Sequence, residues 1–327
     1  MSIARNLILR TSGLTPVKFL VRRSFFFKPL VKRFIAGDTL EEAIAASEAI
    51  LARGLKVSLD YLGENTASEQ EALDAKKTYI DMLERISKVP AVAKWNAEHG
   101  NSPTINLSGD GIEPLNISIK LTQCGLDQGV EFAEKNYREV LETAKRLHNF
   151  VRVDMEASEY TERTMEMIDR VRGDYSNTST VLQTYLYRTP GDVEKIVEWK
   201  IRVRLVKGAY LEPASVAFPE KSKVDSAYIE LGKRLLDAGT YPAFASQDEA
   251  IIKELKAYAT EKKIDKSRFE FQMLYGIRRD LQESLAAEGY NVRVYVPFGD
   301  AWYPYFTRRL AERPANTLFI LKSLFKG

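Results

Sequence analysis

The 327-residue chain has one cysteine, Cys124, and two histidines, His99 and His148. A single cysteine excludes an intrachain disulfide and any CxxC site. Two histidines exclude His-rich metal centres and make a Ser-His-Asp triad a poor reading. No metal is expected, and an enzyme of this composition relies on a bound cofactor for its hard chemistry. No apolar run reaches membrane-spanning length, and no signal-peptide core with a small-residue cleavage site is evident. Excess charge is missing too: 48 basic against 45 acidic residues leave a net +3. That argues against a nucleic-acid partner. An apolar fraction of 45% is that of a globular protein. The length suits one large α/β barrel or two ordinary domains, and a cytoplasmic location is expected.

Acidic residues are absent from residues 1–37, which carry eight basic ones: Arg5, Arg10, Lys18, Arg22, Arg23, Lys28, Lys32 and Arg33. Setting those aside leaves 40 basic against 45 acidic residues, so the remainder is acidic. Apolar residues interleave with the basic ones, as in Phe19–Phe27. Three readings stand side by side: a helical arm packed on the body, a segment in peripheral contact with the inner membrane, and an organelle presequence. Pro29 argues against one unbroken helix. Thr39 and Glu42 have capping-box spacing, so a helix should run to about Arg53, with Gly54 as its C-cap.

Beyond residue 55, short apolar or β-branched runs alternate with amphipathic helices. The expected strands are Val57–Tyr61, Asn116–Leu121, Phe150–Met155, Thr180–Thr184, Val203–Lys207, Ala243–Ser246, Phe269–Met273 and Val292–Val296. The expected helices are 67–88, 128–147, 158–173, 190–200, 224–238, 248–262, 278–288 and 302–313. Eight strand–helix repeats predict a TIM-type (β/α)8 barrel. The predicted division is an N-terminal helical arm, 1–54, and a catalytic barrel, 55–327, whose last helix is lid-like. The competitor is an open doubly wound sheet, but Leu62-Gly63-Glu64-Asn65 after the first strand is no dinucleotide fingerprint.

A barrel demands useful polar residues at the C-terminal strand ends. Glu64, Lys120, Asp154, Gln183, Arg204–Tyr210, Ser246-Gln247, Gln272 and Tyr295 lie there. The helix Tyr303–Arg313 carries adjacent Arg308 and Arg309, which converge on one anion only near their shared edge and would there clamp a carboxylate. The plainer reading is a solvated helix face, with Arg308 paired to Glu312 one turn on. A barrel lyase using Lys120 or Lys207 as a Schiff base, another flavin barrel of the folate-reductase kind, and a non-catalytic membrane-surface scaffold are the other readings.

The blocks Ile117–Thr122, Val153–Glu156, Arg204-Leu-Val-Lys-Gly-Ala-Tyr210, Phe269–Gly276, Val292–Gly299 and Trp302–Asn316 resemble proline dehydrogenase, the flavin-dependent enzyme that oxidises L-proline to Δ1-pyrroline-5-carboxylate. The resemblance covers about residues 55–320, and Trp302-Tyr-Pro-Tyr305 is similar to the monofunctional branch. It implies FAD as cofactor. It implies Arg308, Arg309 and Lys120 around the proline carboxylate, Glu64 as the gate that pairs with the first arginine, and Leu205, Tyr210 and Tyr295 as walls of the pyrrolidine ring. It implies Asp154 and Arg204 as catalytic residues beside the flavin. Met155, Gln183, Arg204, Lys207, Gly208, Ala209, Ser246, Gln247, Gln272 and Glu312 would contact the cofactor. The family usually has a Thr/Ser-His pair where this chain has Ser246-Gln247. A quinone or other acceptor, peripheral membrane contact through residues 1–37, and a functional link to a separate pyrroline-5-carboxylate dehydrogenase are also implied.

Overall fold

A computed structural model describes residues 28–99 and 111–312. Strands β1 (Lys56–Tyr61), β2 (Leu115–Ile119), β3 (Val151–Val153), β4 (Thr178–Gln183), β5 (Arg202–Val206), β6 (Ala243–Ala245), β7 (Glu270–Leu274) and β8 (Asn291–Phe298) follow one another around a closed parallel barrel. β8 pairs with β1 from Lys56↔Arg293 to Tyr61↔Phe298, which removes both sheet edges. In β1, Val57 and Leu59 join the apolar layer under the helices. Ser58 and Asp60, on the other face, bond to Ser118 and Lys120. The same alternation holds in the other strands, because successive side chains point to opposite faces.

The interior of this barrel departs from the branched apolar filling usual for the architecture. Ser58, Asp60, Asn116, Ser118, Arg152, Arg202, Arg204, Glu270, Gln272 and Arg293 are all buried. They are tied by bonds such as Arg293 Nε to Glu270 at 2.9 Å and Arg202 Nη1 to Glu113 at 2.9 Å. The apolar core therefore lies between strands and helices, and the axis of the barrel is polar.

Two helices precede the barrel among the described residues, α1 (Lys28–Phe34) and α2 (Leu40–Leu51). Thr39 caps α2 and Glu42 bonds back to the Thr39 N–H, so the capping box forms. The helix stops at Leu51, earlier than Arg53, with Ala52 as its cap; Gly54 instead takes φ +76° in the turn into β1. Helix α2 packs on β1 and β8, and its Ala43, Ile44 and Ile50 belong to the main core. After β1 come α3 (Glu69–Ile86) and α4 (Pro90–His99). The sequence reading did not foresee α4, although Pro90 at its first position is a start signal. The outer ring continues with α5 (Val130–Arg146), α6 (Ser158–Arg172), α7 (Thr189–Trp199), α8 (Lys221–Ala238), α9 (Glu249–Glu261) and α10 (Arg279–Ala287).

The last helix, α11 (Tyr303–Glu312), lines the cavity at the C-terminal end of the barrel. With α2 beside the seam where β8 meets β1, α11 lies over the mouth. Residues 31–37 brace it: Ile35 packs with Leu62 and Tyr305, and Phe34 lies 6.3 Å from Phe306 ring to ring. The brace is pinned by Ala36 N–H to Pro297 O and Gly299 N–H to Gly37 O. Residues 1–27 of the basic opening segment lie outside the described residues. Among the described residues no helix is long and apolar enough to cross a membrane.

Candidate active site

A cavity of about 1130 Å³ opens at the C-terminal ends of the strands. All eight strands bring a side chain to it: Asp60, Lys120, Asp154, Gln183, Arg204, Ser246, Gln272 and Tyr295. Each lies in or just past its strand, where alternation turns it inward.

Arg204 is the most constrained of these. Its Nη1 donates to Asp154 at 2.6 Å, its Nε to Gln272 at 2.5 Å, and its Nη2 to Ser118 at 3.0 Å. Gln272 is fixed in turn, since its amide donates to Glu270. Tyr295 donates to Asp154 at 2.6 Å, and the Arg204 guanidinium lies 5.0 Å from the Tyr295 ring centre. A cation, a carboxylate and a phenol are thus held as one rigid unit at the cavity floor.

Lys120 donates to Asp60 at 2.7 Å and lies 3.8 Å from Asp154. Burial works against its charge, but Asp60, Asp154 and Glu64 outweigh burial and hold the ammonium well above the ordinary lysine range. A lysine so fixed as a cation is a poor amine nucleophile, which counts against a Schiff base there. Lys207 pairs with Asp225 at 2.6 Å and Asp248 at 2.8 Å.

At the mouth, Arg308 reaches Glu64 with Nη2 at 2.6 Å and Nη1 at 3.3 Å. Tyr210 also donates to Glu64, at 3.1 Å, and the Arg308 guanidinium lies 5.2 Å from the Tyr210 ring centre. Burial opposes the Glu64 charge, but Arg308, Lys120 and the two hydrogen bonds win, so its carboxyl sits below the usual carboxylate range. Arg308 therefore reaches across the mouth to the segment that follows β1. Glu312 ends α11, and its side chain lies outside the described residues. Arg309 also lines the cavity, with its guanidinium 5.0 Å from the Tyr305 ring centre.

Met155, Gln183, Lys207, Gly208, Ala209, Ser246, Gln247 and Gln272 line the same cavity, as do Tyr210 and Tyr295. Leu205 does not. Its neighbour Arg204 points inward, so Leu205 points outward into the core between sheet and helices, where it is fully buried. The structure thus corrects its expected place at the substrate ring. Gly208 has φ +114°, and a Cβ there would come within 2.4 Å of the Tyr185 ring. Its missing side chain is required by the protein's own packing.

Sequence reading missed Asp60, which neutralises Lys120. A buried acid at an inward position of an apolar strand was the available signal. It also missed Tyr185, Phe218, Arg278 and Tyr305 on the cavity wall, which no strand-end pattern marks. The lining holds seven Lys or Arg (Lys120, Arg204, Lys207, Lys221, Arg278, Arg308, Arg309) against six Asp or Glu (Asp60, Glu64, Asp154, Asp248, Glu249, Asp300). Asp225 and Asp280, just outside the lining, pair with Lys207 and Arg278 in addition.

Comparison with known proteins gives a consistent result. The family model described as proline dehydrogenase matches residues 43–322. Proline dehydrogenase 1 of Bacillus subtilis subsp. natto is 41% identical over 295 residues, which are 90% of each chain. Proline dehydrogenase of Deinococcus radiodurans is 38% identical over 328 residues, covering 99% of this chain and 98% of that one. Among solved structures, proline utilization A from Bdellovibrio bacteriovorus, inactivated by N-propargylglycine, superposes with TM-score 0.78 at 25% identity. The match covers 95% of this chain and 36% of that one, so this chain spans about a third of that larger protein.

Proposed function

The chain belongs to the proline dehydrogenase family, and on that premise we propose that it oxidises L-proline to Δ1-pyrroline-5-carboxylate with FAD as cofactor. The observation that carries this reading is the cavity itself: Arg308, Arg309 and Lys120 all line it, and Glu64 pairs with Arg308 at its mouth. The proline carboxylate would sit against the two arginines. Arg308 has five N–H donors, so it can serve Glu64 and substrate together. Tyr210 and Tyr295 would flank the ring; their aromatic faces suit methylenes and disfavour polar side chains.

The residues present fit FAD. At about 1130 Å³ the cavity lies just above the range for small-molecule sites, about 300–1,000 Å³, leaving room for cofactor and substrate together. Its donors are amide, hydroxyl and cationic groups: Gln183, Ser246, Gln247, Gln272, Arg204 and Lys207, with bare backbone at Gly208-Ala209. When bound, FAD would accept the hydride that leaves the ring carbon next to nitrogen. Balance requires the amine to give up one proton as well, either before binding or to solvent. Asp154 and Tyr295 would keep the Arg204 guanidinium fixed as a cation beside the cofactor, where it favours the more anionic reduced form. The Glu64–Arg308 pair would exclude water by holding α11 down.

In this reading residues 55–327 form the catalytic barrel and residues 1–54 the arm. The electrons pass to a quinone or another acceptor, reached by peripheral contact of the basic residues 1–37 with the inner membrane, and a separate pyrroline-5-carboxylate dehydrogenase takes the product. Unchanged liposome association after deletion of residues 1–37 would remove the membrane part.

The test of the main reading is an absorption spectrum of the purified protein, with and without L-proline, under anaerobic conditions. A flavin spectrum bleached by L-proline and not by D-proline is expected. A protein that stays colourless after reconstitution with FAD, or a flavin that does not bleach, overturns the reading.

A further inference from the structure

Beneath the proposed catalytic cavity the barrel axis carries more guanidinium than carboxylate. Arg152, Arg202 and Arg293 face two carboxylates, Glu113 and Glu270. Both carboxylates are already taken. Arg202 holds Glu113 at 2.9 Å, while Arg293 holds Glu270 at 2.9 Å and lies 3.4 Å from Glu113. Arg152 has no carboxylate within ion-pair distance among the described residues. It is nevertheless one of the largest fully buried side chains in the protein, 1% exposed. Its Nε and Nη1 have no hydrogen-bond partner among the described residues.

Arg152 is not isolated in this respect. It pairs in register with Ser179 on β4, and Ser179 pairs in turn with Arg202 on β5. The three share the inward parity of Asp154, Gln183 and Arg204, so they form a row across three neighbouring strands. Ser179 Oγ and Arg202 Nη2 are likewise buried without a partner among the described residues. Phe150 draws the two guanidiniums together, with Arg202 at 4.3 Å and Arg152 at 5.6 Å from its ring centre. Four unsatisfied polar atoms thus belong to residues adjacent across three strands, beside a guanidinium with no carboxylate in ion-pair distance among the described residues. Water can satisfy the donors but not the charge, and an unpaired buried ion is among the costliest arrangements in a protein interior. Burial and the neighbouring Arg204, against Glu270, push the Arg152 guanidinium down to about 9, the direction expected of a cation lacking its counter-ion.

We propose that the row Arg152–Ser179–Arg202 is a closed structural site for one small monovalent anion of the halide class, held by Arg152 Nε and Nη1, Ser179 Oγ and Arg202 Nη2. The row is sealed from solvent, so the anion is bound as the barrel folds and is linked to stability. The proposal stands on the barrel interior and does not depend on the activity.

The test uses the full-length protein unfolded by urea in chloride, bromide or gluconate at matched ionic strength. Mass action predicts that, above saturation, the unfolding constant falls about tenfold for each tenfold rise in halide, with no such slope in gluconate. Arg152→Met should lose the halide slope, whereas the exposed-pair variant Arg53→Gln should keep it. Crystals grown in bromide should show an anomalous peak at the row; this reads the wild type directly, whether or not Arg152→Met folds. Equal stability in the three salts, an unchanged slope in Arg152→Met, or water in place of bromide would each overturn the proposal.

Discussion

The pair that closes the mouth permits a quantitative prediction. Two N–H groups of Arg308 meet the Glu64 carboxylate at 2.6 and 3.3 Å. The side chains are 17% and 23% exposed, so the contact is mostly but not wholly desolvated. Charge-assisted contacts of this kind contribute about 1.5–3 kcal/mol, and the remaining exposure places this one near about 2 kcal/mol, or roughly 30-fold in a closing equilibrium. Glu64→Gln keeps the size and an acceptor for Tyr210, and removes the charge. It should lower kcat/KM for L-proline about 10- to 30-fold, measured with a dye acceptor. Arg308→Gln should cost more, because the substrate carboxylate loses a partner as well. In the double variant the Glu64 change should then cost little, giving a coupling of about 2 kcal/mol in a double-mutant cycle. Additive losses, within about 0.5 kcal/mol, would refute the gate. The pH behaviour has a definite sign. The Glu64 carboxyl is held below its ordinary value, so the pair persists above the usual carboxylate range and is lost as pH falls below it.

Three further outcomes test the architecture. Burial, against bonds from Thr122, pushes Glu156 up to about 7; the folded protein then holds the proton more tightly than the unfolded chain, and stability should fall as pH rises from about 4.5 to about 7. Glu156→Gln should flatten that slope in urea titrations, and an unchanged slope would count against the assignment. Leu205→Ala should cost about 2–5 kcal/mol of stability with KM for L-proline little changed, since Leu205 faces the helices; a selective rise in KM would restore it to the substrate wall. Gly276→Ala would place a Cβ 1.7 Å from the Arg33 carbonyl at φ +72°. It should therefore lower the melting temperature and speed proteolysis within residues 28–37; unchanged values would show that the arm does not depend on that contact.

The order of strands and helices was legible because each element announces itself locally. Helix α2 carries its capping box in Thr39 and Glu42, and α7 carries Pro190 in its first turn. Polar residues at strand ends, such as Gln183 and Arg204, marked the face of the barrel that holds the site. The errors fall where a neighbour distant in sequence makes the decision. Leu205 sits between Arg204 and Val206, and only the barrel's closure fixes which of them looks inward. The pairing of Arg308 with Glu64, just past β1, likewise joins residues far apart in the chain that no local period connects.

Sequence alone thus determined the alternation of elements, the barrel class and the residue types gathered at one end, because hydrophobic period, caps and turn residues act over a few positions. The tertiary structure decided what those residues do to one another. It set Asp60 against Lys120, locked Arg204 between Asp154 and Gln272, laid α11 over the mouth against Glu64, and buried Arg152 with no carboxylate in ion-pair distance among the described residues. Those outcomes depend on burial and on distances between strands far apart in the chain, and electrostatic energy is governed by both.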